Sequence, residues 1–301
     1  MLITGGSGFI GSNFLLHVSG LKDIRIIAPR HGELDILNLD QLNKIFEKFC
    51  PDVIVNFAAH RDASSAEIQR GNSEGSVWKT NVASVENISR VSSTHRSFLI
   101  HISTDMVFSG RKEHKGPYSE QAVPENSANH LSWYGWTKRE AERTLQDNKH
   151  AAIVRIGNVT QPVYDPKLDY VGKILYLFNK GELYPLFDDQ FLTLTPIPLL
   201  CRLIEALGIQ QKPGIYHVAT SDLFTPYELG DYLIEKMFGK AKGLPRMSIA
   251  SYLKKAPHRY PQYGGLLSSY TQRELGIAMP PWREVIDASI DSFHQGIDDA
   301  A

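Results

Sequence analysis

Cysteine is nearly absent: Cys50 and Cys201 are the only two in 301 residues, far apart and without metal-ligand spacing. A disulfide scaffold and a thiolate metal centre are therefore excluded as organising principles, and two reduced thiols point to a cytoplasmic setting. An excess of charge is also lacking. The 32 Lys+Arg against 33 Asp+Glu leave a formal charge of −1, which gives no electrostatic case for nucleic acid or an anionic membrane as partner. No basic segment precedes the first apolar residues, and Gly5, Gly6, Gly8, Gly11 and Gly20 interrupt them, against a signal peptide. The uncharged run from Gln190 to Cys201 contains Pro196 and Pro198 and is too short to span a bilayer. His95, His114, His150 and His217 form no i,i+4 pair or cluster with Cys or carboxylates, so no metal site is expected. Internal repeats and low-complexity tracts are missing as well. What is present is 42% hydrophobic and 22% charged residues, a folded chain rather than a disordered one, long enough for two domains or one enlarged one.

The first half alternates short β-rich runs with helical patterns. Leu2-Ile3-Thr4 is followed by a glycine turn and a helical spacing of Ile10, Phe14 and Val18. Ile24–Ala28, Val53–Val55, Phe98–Ile102 and Ala152–Ile156 read as further strands, and Leu39–Phe49, Ser76–Arg90 and Trp133–Gln146 as helices. Such alternation implies βαβ units and a Rossmann-type α/β fold, a doubly wound parallel sheet covered on both faces. After Asn158 the rhythm breaks and proline and tyrosine become frequent, which predicts a smaller, less regular C-terminal domain. Gly214–Ala219 reads as a strand returning to the main sheet, and Ser221–Phe238 and Pro281–Phe293 as helices. The predicted division is a dinucleotide-binding domain over 1–160, rejoined by about 190–219, and a mainly substrate-binding domain over 161–301.

The turn Gly5-Gly6-Ser7-Gly8-Phe9-Ile10-Gly11 follows the first strand and opens a helix. Glycine permits the tight turn and a close backbone approach to a pyrophosphate, and the helix offers its N–H groups and positive end to that anion. The second strand ends Ala28-Pro29-Arg30 without the acidic residue that would hold a ribose 2′-hydroxyl. Arg30 could instead pair with a 2′-phosphate, which favours NADP(H) over NAD(H), although an exposed loop arginine is the other reading. Asp35-Ile36 and Phe57-Ala58-Ala59 follow later strands where adenine and ribose would pass, or are plain turn and packing residues.

Tyr134 and Lys138 lie four apart on a predicted helix, hence on one face. A tyrosine with a pKa of ~10 is a poor acid-base group at neutral pH, and a neighbouring ammonium would lower it toward the working range. Thirty residues earlier, Ser103-Thr104-Asp105 ends a strand and offers a hydroxyl to the same substrate oxygen. Asn81 falls in register with Val77 and Val85 on an apolar helical stripe; its buried amide is either satisfied by backbone or part of a catalytic relay at the cofactor.

Taken in order, the glycine turn, Asn56-Phe57-Ala58-Ala59, Asn81, Ser103-Thr104-Asp105 and Tyr134-Gly135-Trp136-Thr137-Lys138 resemble an extended short-chain dehydrogenase/reductase. More narrowly, Glu33–Ile36, Pro51–Asn56, His101–Gly110, Asp189-Gln190-Phe191, Gly214–His217, Arg259, Leu267 and Trp282 resemble the dTDP-4-dehydrorhamnose reductase family. The resemblance implies an NAD(P)-dependent oxidoreductase whose Tyr134 protonates a carbonyl oxygen, whose Thr104 polarises it, and whose Lys138 binds the nicotinamide ribose. It implies that Ser103, with Asn81, Tyr134 and Lys138, borders the cofactor. His60, Thr104, Asp105, Met106, Val107, Tyr134, Gln190 and Arg259 would then meet a small-molecule substrate, a nucleotide-activated sugar, in a chain that could form a homodimer. Sugar-nucleotide dehydratases place a glutamate where Met106 stands, and a thioether transfers no proton, so dehydration is disfavoured. Two alternatives stay open: a sugar-nucleotide epimerase, and a non-catalytic regulatory subunit similar to the β subunit of methionine adenosyltransferase.

Overall fold

A computed structural model describes residues 1–22, 24–164, 169–239, 243–254 and 260–298. In chain order the elements begin with β1 (Leu2–Thr4), α1 (Phe9–Val18), α2 (Leu39–Phe49), β2 (Val53–Asn56), α3 (Ala63–Ile68), α4 (Ser76–Trp78), α5 (Ser84–Thr94) and β3 (Phe98–Thr104). They continue with α6 (Trp133–Thr144), β4 (Ala151–Ile156), β5 (Asn158–Thr160), α7 (Tyr170–Asn179), β6 (Leu186–Phe187), β7 (Leu194–Pro196), α8 (Ile197–Gln210) and β8 (Gly214–Val218). The last are α9 (Pro226–Phe238), β9 (Arg246–Met247), α10 (Ile249–Leu253), α11 (Ser269–Leu275), α12 (Trp282–Asp287) and α13 (Ile290–Asp298).

The chain divides into two compact units. The first comprises Met1–Val107, Val123–Arg155 and Cys201–Tyr216; the second comprises Phe108–Ala122, Ile156–Leu200 and the residues from His217 on. The main sheet runs β1-β2-β3-β4-β8, with β1/β2 and β2/β3 parallel. This is the Rossmann-type parallel sheet that the alternation predicts, and β8 returns to it beside β4. The strands read as unbroken apolar runs because both faces are covered. Leu2, Ile54, Leu99 and Ile153 meet Leu42 and Phe46 of α2, Val85 and Ile88 of α5, and Ala141 of α6 in one buried core.

The register places Thr4 beside Asn56 and Asn56 beside His101, a polar row across three mostly apolar strands. One expected strand is reduced. Over Ile24–Ala28 only Ile27 bridges Leu2, its N–H donating to Met1 O and its carbonyl accepting from Ile3 N–H. Pro29 follows and has no N–H to extend the ladder. The helix expected over Ser76–Arg90 forms but contains a π-helical turn, Lys79–Ala83, between α4 and α5. The helix expected over Pro281–Phe293 is two, α12 and α13.

The second unit has its own core, with Leu175, Phe224, Leu229, Leu233, Trp282 and Phe293 all buried. Its strands are short parallel pairs, β5/β7 and β6/β9, and its helices carry explicit starts. Asp169 accepts from Gly172 N–H ahead of α7, and Thr225 with Glu228 closes a capping box ahead of α9. Among the described residues no helix is long and apolar enough to cross a membrane, and no group of three His, Cys, Asp or Glu side chains is placed to hold a metal ion.

Candidate active site

The glycine turn is shaped by close approach rather than by flexibility. Gly5 takes φ 70°, and a Cβ there would run into the Phe57–Ala58 backbone at the end of β2. A Cβ at Gly11 would fall on the Gly5 carbonyl. Gly8 precedes α1 and supplies no side-chain cap, and no acidic residue occupies the helix's first turn. The helix's leading N–H groups and its positive end therefore meet no side-chain acceptor, which is the donor set that a pyrophosphate takes. Gly5, Ser7, Gly8, Phe9, Ile10 and Gly11 thus fit a dinucleotide. Phe57 is clasped by Thr4 O, and Ala58 N–H donates to Asn56 Oδ1 at 3.1 Å, so Phe57-Ala58-Ala59 is held against that turn.

Arg30 is exposed, and its backbone N–H donates to Glu33 Oε2 at 2.7 Å in a tight turn. Asp35 closes its own turn, accepting from Leu37 N–H, while Ile36 packs into the core of the first unit. Asn87 of α5 donates to the Ile36 and Leu37 carbonyls and so fixes this segment.

The start of α6 is determined by three contacts. Ser132 Oγ accepts from Gly135 N–H at 3.0 Å, and Glu67 Oε1 accepts from Trp133 N–H at 2.6 Å. Gly135 is required by proximity, because a Cβ there would collide with Met106 O in the turn Asp105–Val107. That approach brings Tyr134 to Thr104, whose hydroxyl acts on the phenol. Thr104 Oγ1 also donates to Asp105 Oδ1 and accepts from Met106 N–H. Val107 is buried beneath.

The electrostatics differ from the expectation in one respect. Tyr134 is pushed up to about 12 by burial, which outweighs a lowering by Thr104; Asp105 adds a smaller rise and Arg61 a smaller lowering. The predicted lowering by Lys138 does not occur. Lys138 Nζ is turned to the sheet, where it lies 3.0 Å from His101 Nε2 and donates to Ile102 O at 2.7 Å. Burial brings the lysine down to about 7, against a raising influence of Glu142. Burial likewise raises Asp105 to about 6.

Other expected site residues are committed elsewhere. Ser103 Oγ donates to Glu142 Oε1 at 2.6 Å, inside a buried ion pair in which Arg155 grips both Glu142 oxygens. Asn81, in the π-helical turn, accepts from His60 N–H and donates to His60 O and Thr137 Oγ1. Its amide thus ties the His60 loop to α6. His60 itself turns Nε2 to Ser65 Oγ at 2.8 Å. Gln190 belongs to the second unit and donates to Pro261 O. Arg259 lies outside the described residues. Sequence reasoning assigned no role to Arg61, Glu67 or His101. The available signal for His101 was a polar residue within the apolar run of β3.

Comparison with known proteins agrees with this architecture. The family model described as RmlD substrate binding domain matches residues 1–295. A dTDP-4-dehydrorhamnose reductase of Aggregatibacter actinomycetemcomitans is 25% identical over 95% of this chain and 96% of its own. A methionine adenosyltransferase 2 subunit beta of Bos taurus is 31% identical over 76% of this chain and 69% of its own. Among solved structures, a dTDP-4-dehydrorhamnose reductase of Bacillus anthracis in complex with NADP shares the fold at a TM-score of 0.81 and 24% identity, covering 95% of this chain and 96% of that one. With its parallel sheet, glycine turn and Tyr134/Lys138 helix in place, the chain belongs to the RmlD substrate binding domain family.

Proposed function

We propose that the chain is an oxidoreductase that reduces a keto group on a nucleotide-activated sugar, using NADPH in preference to NADH. The observation that carries this reading is Tyr134 set against Thr104, one helical turn before a buried lysine, in the unit that also holds the glycine turn. When bound, the dinucleotide supplies the hydride. Gly5–Gly11 would take its pyrophosphate, Arg30 its 2′-phosphate, and Lys138 its nicotinamide ribose. The first unit thus serves the dinucleotide and the second, with Gln190, the sugar, in the cytoplasm.

The work of the chain's own groups follows from their ionisation. With its acidity pushed to about 12, Tyr134 keeps its proton at neutral pH and is a loaded donor for an oxygen gaining negative charge. Thr104 would turn to that oxygen the one hydrogen it now gives Asp105 Oδ1, and so stabilise the developing alkoxide. Met106 stands beside them and carries no exchangeable proton, which suits simple reduction rather than dehydration.

Tyr134→Phe should lower kcat by roughly 10²–10⁴-fold while the dinucleotide dissociation constant stays within a few-fold of the parent. A variant that keeps most of its turnover would remove Tyr134 from the chemistry. A second reading, a dinucleotide-binding regulatory subunit, is favoured by the 31% identity to the bovine methionine adenosyltransferase 2 subunit beta. Oxidation of NADPH against a panel of nucleotide-sugar ketones separates the two. Turnover supports the reductase, and tight dinucleotide binding with no turnover of any ketone supports the subunit.

A further inference from the structure

The polar row across the sheet determines where every proton in it sits. Asn56 Oδ1 accepts from Ala58 N–H at 3.1 Å and from Thr4 Oγ1 at 2.7 Å. A backbone N–H cannot reverse its role, so this contact fixes the orientation of the amide and leaves Asn56 Nδ2 facing His101 Nδ1 at 3.2 Å. The amide nitrogen only donates, so Nδ1 must carry the lone pair. The imidazole hydrogen is thereby placed on Nε2, 3.0 Å from Lys138 Nζ.

Two donors cannot share that contact. With Nε2–H as donor, the lysine nitrogen must accept, which an amine does and an ammonium does not. The alternatives each break a bond. An ammonium donating to Nε2 would move the ring hydrogen to Nδ1, against the Asn56 NH₂. An imidazolium would have the same collision and would place a charge among buried strands. We propose that His101 is a positioning residue that holds Lys138 as the uncharged amine in the dinucleotide-free chain, with Asn56 and Ala58 N–H setting its tautomer.

The charged and titratable groups around the pair are consistent with this. On α6, Glu142 lies one turn beyond Lys138, but both its oxygens are engaged by Arg155 and one also by Ser103. Tyr134 lies one turn before the lysine and is neutral; Asp105 and Arg61 act on that phenol. His101 faces Lys138 from β3, and burial holds its ring well below the usual histidine range. The amine spends one hydrogen on Ile102 O, which leaves one N–H for a ligand. In turnover, where the inference rests on the reductase reading, Lys138 can gain a proton only by giving up its bond from His101.

The decisive measurement uses the whole chain without dinucleotide or substrate, so it stands whether or not the reductase reading does. Long-range ¹H–¹⁵N correlation reports the His101 tautomer, and the ¹³Cε resonance of Lys138, assigned by its loss in Lys138→Arg, reports the amine. The expected result is an Nε2–H tautomer and a lysine that titrates near neutrality. Asn56→Asp replaces the donating NH₂ by an accepting oxygen. It should move the ring hydrogen to Nδ1 and raise the lysine midpoint by more than about one pH unit. An Nδ1–H tautomer in the parent, a lysine midpoint in its ordinary range near ~10, or no response to Asn56→Asp would overturn the proposal. Should that variant not fold, the parent tautomer decides alone. Reductase activity accompanied by an Nδ1–H parent would refute this inference and leave the function standing.

Discussion

Asp105 shows how one residue can tie the chemistry to stability. Its carboxyl accepts from Thr104 Oγ1 and from backbone N–H groups, yet burial outweighs them and raises it from 3.8 to about 6. A folded chain that binds this proton more tightly than the unfolded chain is stabilised at low pH. The benefit is complete below about pH 4 and is lost as pH rises through 6. The cost above that window is on the order of 2–3 kcal/mol. Asp105→Asn removes the titration while keeping an acceptor for Thr104. Urea unfolding should therefore find the variant more stable than the parent at pH 8 and the two nearly equal at pH 4; parallel curves would show that Asp105 is an ordinary carboxylate. The phenol beside it gains from the same environment, since a shielded site with a nearby carboxyl keeps Tyr134 protonated until a substrate oxygen needs the hydrogen.

At the scale of elements, α6 is the component on which the site depends, and its seating turns on Gly135. Replacing this glycine by alanine would push the helix off Met106 O, at a cost of roughly 1–3 kcal/mol. Gly135→Ala should accordingly lower Tm by several degrees and reduce kcat far more than substrate affinity, because that approach sets Tyr134 against Thr104; unchanged melting would show that the turn yields freely. Much of this element was legible beforehand: the spacing of Tyr134 and Lys138 places both on one helix, and the glycine turn after β1 is found where it was expected. What could not be read was direction. Spacing says that Lys138 shares a face with Tyr134, but not that its amine reaches down to Ile102 O and His101 instead of across to the phenol. Nor does the sequence show that Ser103 is claimed by Glu142, since Arg155, which anchors that carboxylate, lies on a strand 13 residues away. The strand expected over Ile24–Ala28 is reduced for a local reason, as Pro29 ends a ladder that holds one bridge, at Ile27, and one bond from Met1 N to Arg25 O.

At the scale of the molecule, two separate cores predict two separable kinds of damage. Leu229 is buried in the core of the second unit, so Leu229→Ala should cost about 2–5 kcal/mol. If the dinucleotide is held by the first unit alone, its dissociation constant, measured by calorimetry well below the melting transition, should not change. A parallel loss of affinity would contradict that division. The row Thr4–Asn56–His101 has a different consequence, one for how the chain finds its native pairing. Side chains alternate faces along a strand, so sliding β2 by a single residue would put Val55 in place of the amide and strand three polar groups among hydrocarbon. Apolar parallel strands offer little else to distinguish one alignment from the next. A misaligned sheet would thus lack the proton arrangement that the lysine needs, which makes correct assembly and a competent centre a single event.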